Sequence, residues 1–272
     1  MKICIDAGHY GKYNQSPVNK AYWESDFAWK FHLLLKEELE KYGVTVVTTR
    51  PTQAKDLGLV ARGRAAKGCD LFLSIHSNAC GVESADHPLA CVCVSGQCDV
   101  LGDRLAKTCA KVMVTSNPAR IWKRKGNGGD DYYGVLRGAA SVGVPGVLLE
   151  HSFHTNTRAT NWLLNADNLR KLAEAEAHTI ADYYDLTKQD KPAAPSESAQ
   201  TQPDGAFLVK VMCDDLNVRK GAGVEYPVAM RIYKGYIYTI VETAKAKDGG
   251  TWGRLKSGAG WINIGSAYCK RV

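Results

Sequence analysis

The chain has no long uninterrupted apolar run. Its start, Met1-Lys2-Ile3-Cys4-Ile5-Asp6-Ala7-Gly8-His9, meets an acidic residue and then Gly-His where a secretory leader needs a continuous hydrophobic stretch. No signal peptide is expected, and no segment reads as membrane-spanning. The cysteines number nine, and an odd number excludes a complete internal disulfide framework. Most are expected to be reduced thiols of a protein made in the cytoplasm. Cys91-Val92-Cys93, with Cys80 and Cys98 nearby, lacks the spacing of a common zinc knuckle, which leaves buried small hydrophobes as the better reading. No nucleic-acid-binding motif is present.

What is there suits a packed globular protein: 45% of the 272 residues are hydrophobic and 23% charged, enough apolar material for a core. That length favours one large unit plus a small one. Residues 187–205 hold three prolines, no large apolar side chain and no periodicity, the marks of an extended linker. The expected organisation is therefore a domain over 1–186, a linker over 187–205 and a small domain over 206–272.

Before the linker, strand patterns at 2–6, 44–49, 70–76, 90–95 and 146–150 alternate with helical ones near 25–42, 56–67, 99–115 and 167–185. Phe27, Phe31, Leu34, Leu35 and Leu39 recur at helical spacing, with Gly43 placed as a C-cap. The pattern predicts an α/β fold: a mixed, mostly parallel twisted sheet with helices on both faces.

In such sheets reactive groups collect beyond the carboxyl ends of the strands. His9 follows one predicted strand, His76 ends another, Glu150 ends a third, and Glu24 enters from a helix start. Catalytic zinc commonly takes three His or carboxylate ligands and leaves a position for water, while a further carboxylate moves protons. Two His and two Glu meet that requirement, so the pattern points to a zinc hydrolase. Taken singly, a strand-end His or a helix-start Glu is more often structural; Glu150, closing the apolar run Gly146-Val147-Leu148-Leu149, is the member whose burial asks for a partner or a task.

Asp6-Ala7-Gly8-His9, Glu24, Ser74-Ile75-His76-Ser77-Asn78-Ala79 and Val147-Leu148-Leu149-Glu150-His151-Ser152-Phe153-His154-Thr155-Asn156, with Thr49-Arg50 and Leu57 to Arg62 between them, closely resemble the zinc-dependent N-acetylmuramoyl-L-alanine amidases of the amidase type 3 family over about residues 1–185. The resemblance implies cleavage of the amide between N-acetylmuramic acid and the L-alanine of the stem peptide in peptidoglycan. It implies that His9, Glu24 and His76 bind Zn2+ and that Glu150 is the catalytic carboxylate. The stretch 116–137 matches a region that borders the substrate groove in that family. Arg137 is the residue there expected to grip a peptide carboxylate, with Asn78 and Arg62 as further substrate contacts. Tyr10, Ala66, His151 and His154 depart from the usual family pattern; for the two histidines a structural role is weighed above an oxyanion or substrate role.

The last 66 residues read as short strands, such as 207–211 and 236–241, separated by the turns Lys220-Gly221-Ala222-Gly223 and Lys247-Asp248-Gly249-Gly250. Leu216-Asn217-Val218-Arg219-Lys220-Gly221, Thr251-Trp252-Gly253-Arg254 and Gly260-Trp261-Ile262 resemble the bacterial SH3-like domain, a small all-β barrel whose usual role is cell-wall binding. Residues 207–272 carry 11 Lys and Arg against 5 Asp and Glu, a net of +6 out of the overall +7, which suits anionic wall polymers as a partner. Tyr226, Tyr233, Tyr236 and Trp252 are candidates for sugar stacking or for the barrel core.

Three hypotheses follow: a wall-lytic amidase tethered by its basic module, a zinc peptidase cutting within the stem peptide or cross-bridge, and a non-catalytic wall-binding protein. The first is favoured. With no leader visible, it suggests a phage or prophage endolysin, made in the cytoplasm as a monomer and acting on the wall after release, or a protein exported by a non-classical route. Neither nucleic acid nor a membrane is expected as a partner.

Overall fold

The computed structural model describes residues 1–188, 206–235, 237–247, 249–256 and 259–272, and all but the Met230 and Tyr233 side chains among them. The chain divides into two compact units, Met1–Ala193 and Ala194–Val272.

The first unit runs β1 (Lys2–Ala7), α1 (Glu24–Glu40), β2 (Thr45–Thr48), α2 (Leu59–Arg64), β3 (Leu71–Asn78), β4 (Leu89–Val92), α3 (Asp99–Met113), β5 (Arg120–Trp122), α4 (Gly134–Ala140), β6 (Gly146–Phe153), α5 (Thr157–Leu164) and α6 (Ala166–Tyr183). The sheet order is β2-β1-β3-β6-β4-β5. All neighbours are parallel except β4 against β6, so the sheet is mixed. Apolar side chains alternate between its faces, as the period of two requires. Leu71, Leu73, Ile75, Val147 and Leu149 face α1, α3 and α6 in the larger core, while Cys4, Phe72, Cys91 and Leu148 face α4 in the smaller one. Cys91 and Cys93 thus fall into opposite cores, and all nine cysteines are free thiols. No helix among the described residues is long and apolar enough to cross a membrane.

α1 ends as its sequence requires: Gly43 sits at φ 71° and donates its N–H to the Glu40 carbonyl. The short helices α2 and α4 cross glycine to glycine, since a Cβ on Gly63 would lie 2.5 Å from the Ala139 nitrogen and one on Gly138 would strike the Val60 carbonyl. Three elements lie outside the sequence expectation: β5, α4 and α5.

The second unit contains β7 (Phe207–Val211), β8 (Asp215–Arg219), β9 (Val228–Tyr233), β10 (Ile237–Lys245), β11 (Thr251–Leu255), β12 (Trp261–Asn263) and β13 (Cys269–Arg271), all antiparallel in the order β13-β7-β10-β11-β12-β8-β9. Val209, Val211, Val218, Ile240 and Ile262 form its core. Trp252 is buried, so it fills the interior instead of offering a stacking face. Tyr226 is exposed and lies against Gly221, where a Cβ would be 2.5 Å from its ring. Tyr236, the Tyr233 side chain and the expected linker from 189 to 205 lie outside the described residues.

Candidate metal centre

The site is assembled at the carboxyl ends of β1, β3 and β6. A buried network beneath it fixes the loop that carries His9. Asp6 accepts from the Thr49 hydroxyl at 2.6 Å and the Ser74 hydroxyl at 2.9 Å. Arg50 donates to the Ala7 carbonyl at 2.5 Å, and Arg62 reaches the same carbonyl at 3.4 Å while its Nε donates to Leu57 O at 2.8 Å. Arg62 is buried and its guanidinium is committed to this network and to Asp6 and Asp56, which makes it a brace for the loop.

From that base Gly8 turns the chain. A Cβ there would sit 2.5 Å from His76 Cε1 and 2.6 Å from the Ile75 carbonyl, so only glycine lets the two histidine-bearing strands approach. His9 itself is held at φ 59°, a left-handed conformation that an L residue adopts at a cost of roughly 1–3 kcal/mol. Its ring stacks on Tyr13 at 4.8 Å, and Tyr10 stacks on Tyr13 in turn, so the departure at Tyr10 extends an aromatic wall beside the histidine.

Glu24, buried at the start of α1, lies between the two imidazoles. Its Oε2 is 3.1 Å from His9 Nε2 and its Oε1 is 2.9 Å from His76 Nδ1. The Ser77 N–H donates to Oε1 at 3.1 Å and the Asn14 amide to Oε2 at 2.6 Å. Burial works against the Glu24 charge, but the hydrogen bonds and positive charge of His76 and His9 outweigh it and hold the carboxyl below the usual carboxylate range. One ligand atom from each of His9, Glu24 and His76 lies within 4.8 Å of the others, a set found among the described residues. Two imidazole nitrogens and one carboxylate oxygen, converging from three elements and partly open to solvent, have the donor chemistry of a catalytic metal site. Asn14 is not singled out by the sequence; its only signal is a polar residue in a glycine-containing turn, at φ 53°, where asparagine is tolerated.

Glu150 stands directly across from His76 in the β3–β6 register. The residue is partly exposed, yet its Oε2 is buried and has no hydrogen-bond partner. Burial pushes its carboxyl well above the usual range, and the Glu24 charge adds to the rise.

The departures next to Glu150 are supports. His151 is fully buried; its Nδ1–H donates to the His76 carbonyl at 3.0 Å and its Nε2 pairs with Glu176 at 3.0 Å. His154 donates from Nδ1 to the Ser77 carbonyl at 3.0 Å and stacks on Tyr22, whose hydroxyl donates to Ser77 Oγ at 2.7 Å. Both histidines thus hold the backbone of the strand that presents His76. Asn78 ends β3 with its side-chain carbonyl accepting from the Ala79 N–H at 2.8 Å. Arg137 donates to the Asp131 carbonyl at 2.7 Å and the Tyr132 carbonyl at 3.2 Å and lies 3.7 Å from Asp130, so its guanidinium braces the turn before α4.

The family model described as N-acetylmuramoyl-L-alanine amidase (amidase type 3) matches residues 3–182. The chain is 30% identical over 190 residues to the uncharacterized protein YqiI of Bacillus subtilis (strain 168), covering 67% of this chain and 84% of YqiI. Among solved structures, the catalytic domain of CwlV, an N-acetylmuramoyl-L-alanine amidase from Bacillus (Paenibacillus) polymyxa var. colistinus, superimposes with a TM-score of 0.58 at 23% identity, covering 68% of this chain and 99% of that one. The amidase AmiC2 of Nostoc punctiforme gives a TM-score of 0.59, also at 23% identity, covering 68% of this chain and 97% of that one. At that identity the two structures speak for the fold, and the family match over 3–182 goes further: the chain belongs to the N-acetylmuramoyl-L-alanine amidase family.

Proposed function

We propose that this amidase is zinc-dependent, that His9, Glu24 and His76 are its metal ligands, and that Glu150 is its catalytic carboxylate. The observation that carries the reading is the pairing of a three-ligand corner, with ligand atoms within 4.8 Å of one another, and a buried, unpartnered Glu150 oxygen one strand away. Bound zinc supplies a Lewis acid for the scissile carbonyl and lowers the pKa of a bound water to about 7.

The protein's own groups do the rest. Glu150 takes the proton of the attacking water and delivers it to the L-alanine nitrogen as the amide breaks, so no covalent enzyme intermediate is formed. The Glu24 charge is one of two causes that raise the Glu150 pKa. A cation held at the corner would offset that charge and so remove one of the two causes, burial being the larger. Asn14 and the Ser77 N–H orient Glu24, and His151 holds the carbonyl of His76.

The second unit is read as an SH3-like module that keeps the enzyme at the wall. Its antiparallel sheet and the net +6 of residues 207–272 support attraction to phosphate- or carboxylate-bearing wall polymers. Digestion of purified Gram-positive peptidoglycan, with and without a chelator, tests the whole reading. New amino-terminal L-alanine that disappears on chelation and returns with zinc is the expected result. A different new amino terminus identifies a peptidase, and binding without any new terminus leaves a wall-binding protein.

A further inference from the structure

A cavity of about 650 Å3 lies beside the metal corner, lined by Asn78, His87, Leu89, Asn117, Arg120 and Trp122 among others. The sheet register joins it to the site. His76 pairs with Glu150, Glu150 with Leu89, and Leu89 with Arg120, so the four form one row across β3, β6, β4 and β5. Side chains in such a row point to the same face of the sheet.

The polar groups of this cavity keep donor capacity that the protein does not use. Arg120 is exposed and has no carboxylate partner among the described residues. His87 is 8% exposed, yet its Nδ1 is buried with no hydrogen bond. Burial and the neighbouring Arg120 charge lower its pKa, against a smaller opposing effect of Asp86. The side-chain carbonyls of Asn78 and Asn117 are taken by the N–H groups of Ala79 and Asp86, which turns each amide so that its NH2 is the group left to donate. A buried polar group without a partner is costly unless a ligand or water completes it. A guanidinium and amide donors, over the apolar Leu89 and Trp122, fit an anionic group carried on a chain.

Distance and chemistry together select the ligand. Neighbouring strands lie about 4.8 Å apart, which puts the Arg120 backbone roughly 10 Å from that of Glu150. Extended peptide covers about 3.3 Å per residue, so with the length of the arginine itself the gap is spanned by one or two residues beyond the scissile amide. N-acetylated sugars are uncharged and the lactyl carboxyl is consumed in the amide, whereas the stem peptide carries carboxylates. We propose that this cavity is a specificity subsite in which Arg120, with His87 and the two asparagine amides, binds a free carboxylate on the second residue of the stem peptide. The proposal rests on the amidase reading above.

The test uses the full chain and two soluble muramoyl tripeptides that differ only at the second residue, D-isoglutamate against D-isoglutamine. The wild type is expected to show a KM about tenfold lower for the carboxylate form. Arg120→Gln, an exposed change, is expected to bring the ratio of the two KM values to about one, and His87→Gln to reduce it partway, with thermal unfolding as the folding control. A wild type that does not distinguish the two, or an Arg120→Gln variant that keeps the preference, overturns the proposal. If neither compound is cleaved, the amidase reading fails separately. Calorimetric binding of the free tripeptides L-Ala-D-isoGlu-L-Lys and L-Ala-D-isoGln-L-Lys then decides on the subsite: tighter binding of the first, lost in Arg120→Gln, supports it, and equal binding contradicts it.

Discussion

Two sets of two histidines and one glutamate border the same strands and have opposite fates. In the first, Glu24 lies between His9 and His76 at 3.1 and 2.9 Å, and the three ligand atoms converge where the strands end. In the second, His151 is pinned between the His76 carbonyl and Glu176, and His154 binds the Ser77 carbonyl. Residue type and closeness to a strand end do not separate them. Accessibility and hydrogen-bond inventory do: His151 has a protein partner for each ring nitrogen and is fully buried, whereas His9 and His76 are partly open and turn their nitrogens on a shared carboxylate. Changes in the open set are therefore expected to cost function, and changes in the buried set to cost stability.

The largest effect is expected at Glu150. Removing a general acid–base typically costs 10²–10⁴ in rate, so Glu150→Gln is expected to lose about 10³-fold in L-alanine release while keeping its zinc content and its melting temperature. A parallel loss of stability would show that Glu150 belongs with the supports. Glu176→Ala tests the other side. Breaking a buried pair by removing one partner costs about 3–5 kcal/mol, so a lower denaturant midpoint is expected, with activity per folded molecule retained. If the variant is as stable as the wild type, the brace reading is wrong.

Between the two sets stands Asn14, which touches Glu24 but no core residue of the second group. Loss of an orienting partner commonly costs 10–100-fold in metal affinity, so Asn14→Ala is expected to weaken zinc binding by about that factor in a competition titration, with little change in melting temperature. The smallest effect per pH unit concerns His32, buried on α1 and pushed down to about 4 by burial. Its folded pKa lies below the unfolded value of 6.5, so the unfolded state binds more protons between those values. The stability it permits is full above about pH 6.5 and is lost as pH falls toward 4, at up to about 1.4 kcal/mol per pH unit. His32→Phe is expected to flatten that part of the stability profile measured by urea unfolding at several pH values, without altering zinc content.

Much of this architecture is legible in the amino-acid sequence. The alternation of strand and helix patterns places five strands and four helices of the first unit, and the ordered motifs single out His9, Glu24, His76 and Glu150, which the fold brings together. What escapes the sequence does so for physical causes. β5 has three residues, all exposed, and carries no period. α4 is seven residues long and contains two glycines, a composition that argues against a helix until Gly63 is seen packed against Gly138. Arg62 and Arg137 suggest substrate contacts because arginine suits carboxylates; the bonds they also make to loop carbonyls are not legible, since only the folded loops bring those carbonyls near. Within the stretch 116–137 the sequence does not single out Arg120, because its place in the row of pairings that ends on β5 emerges only in the fold.

The division between an open set that acts and a buried set that supports is tested most directly by zinc analysis and L-alanine release measured side by side on the wild type, His76→Ala and His154→Ala. One zinc per wild-type chain is predicted, with both zinc and release lost in His76→Ala. In the folded fraction of His154→Ala both are predicted to persist at a lower melting temperature. Retention of zinc and release in His76→Ala, or their loss in a fully stable His154→Ala, would contradict the account.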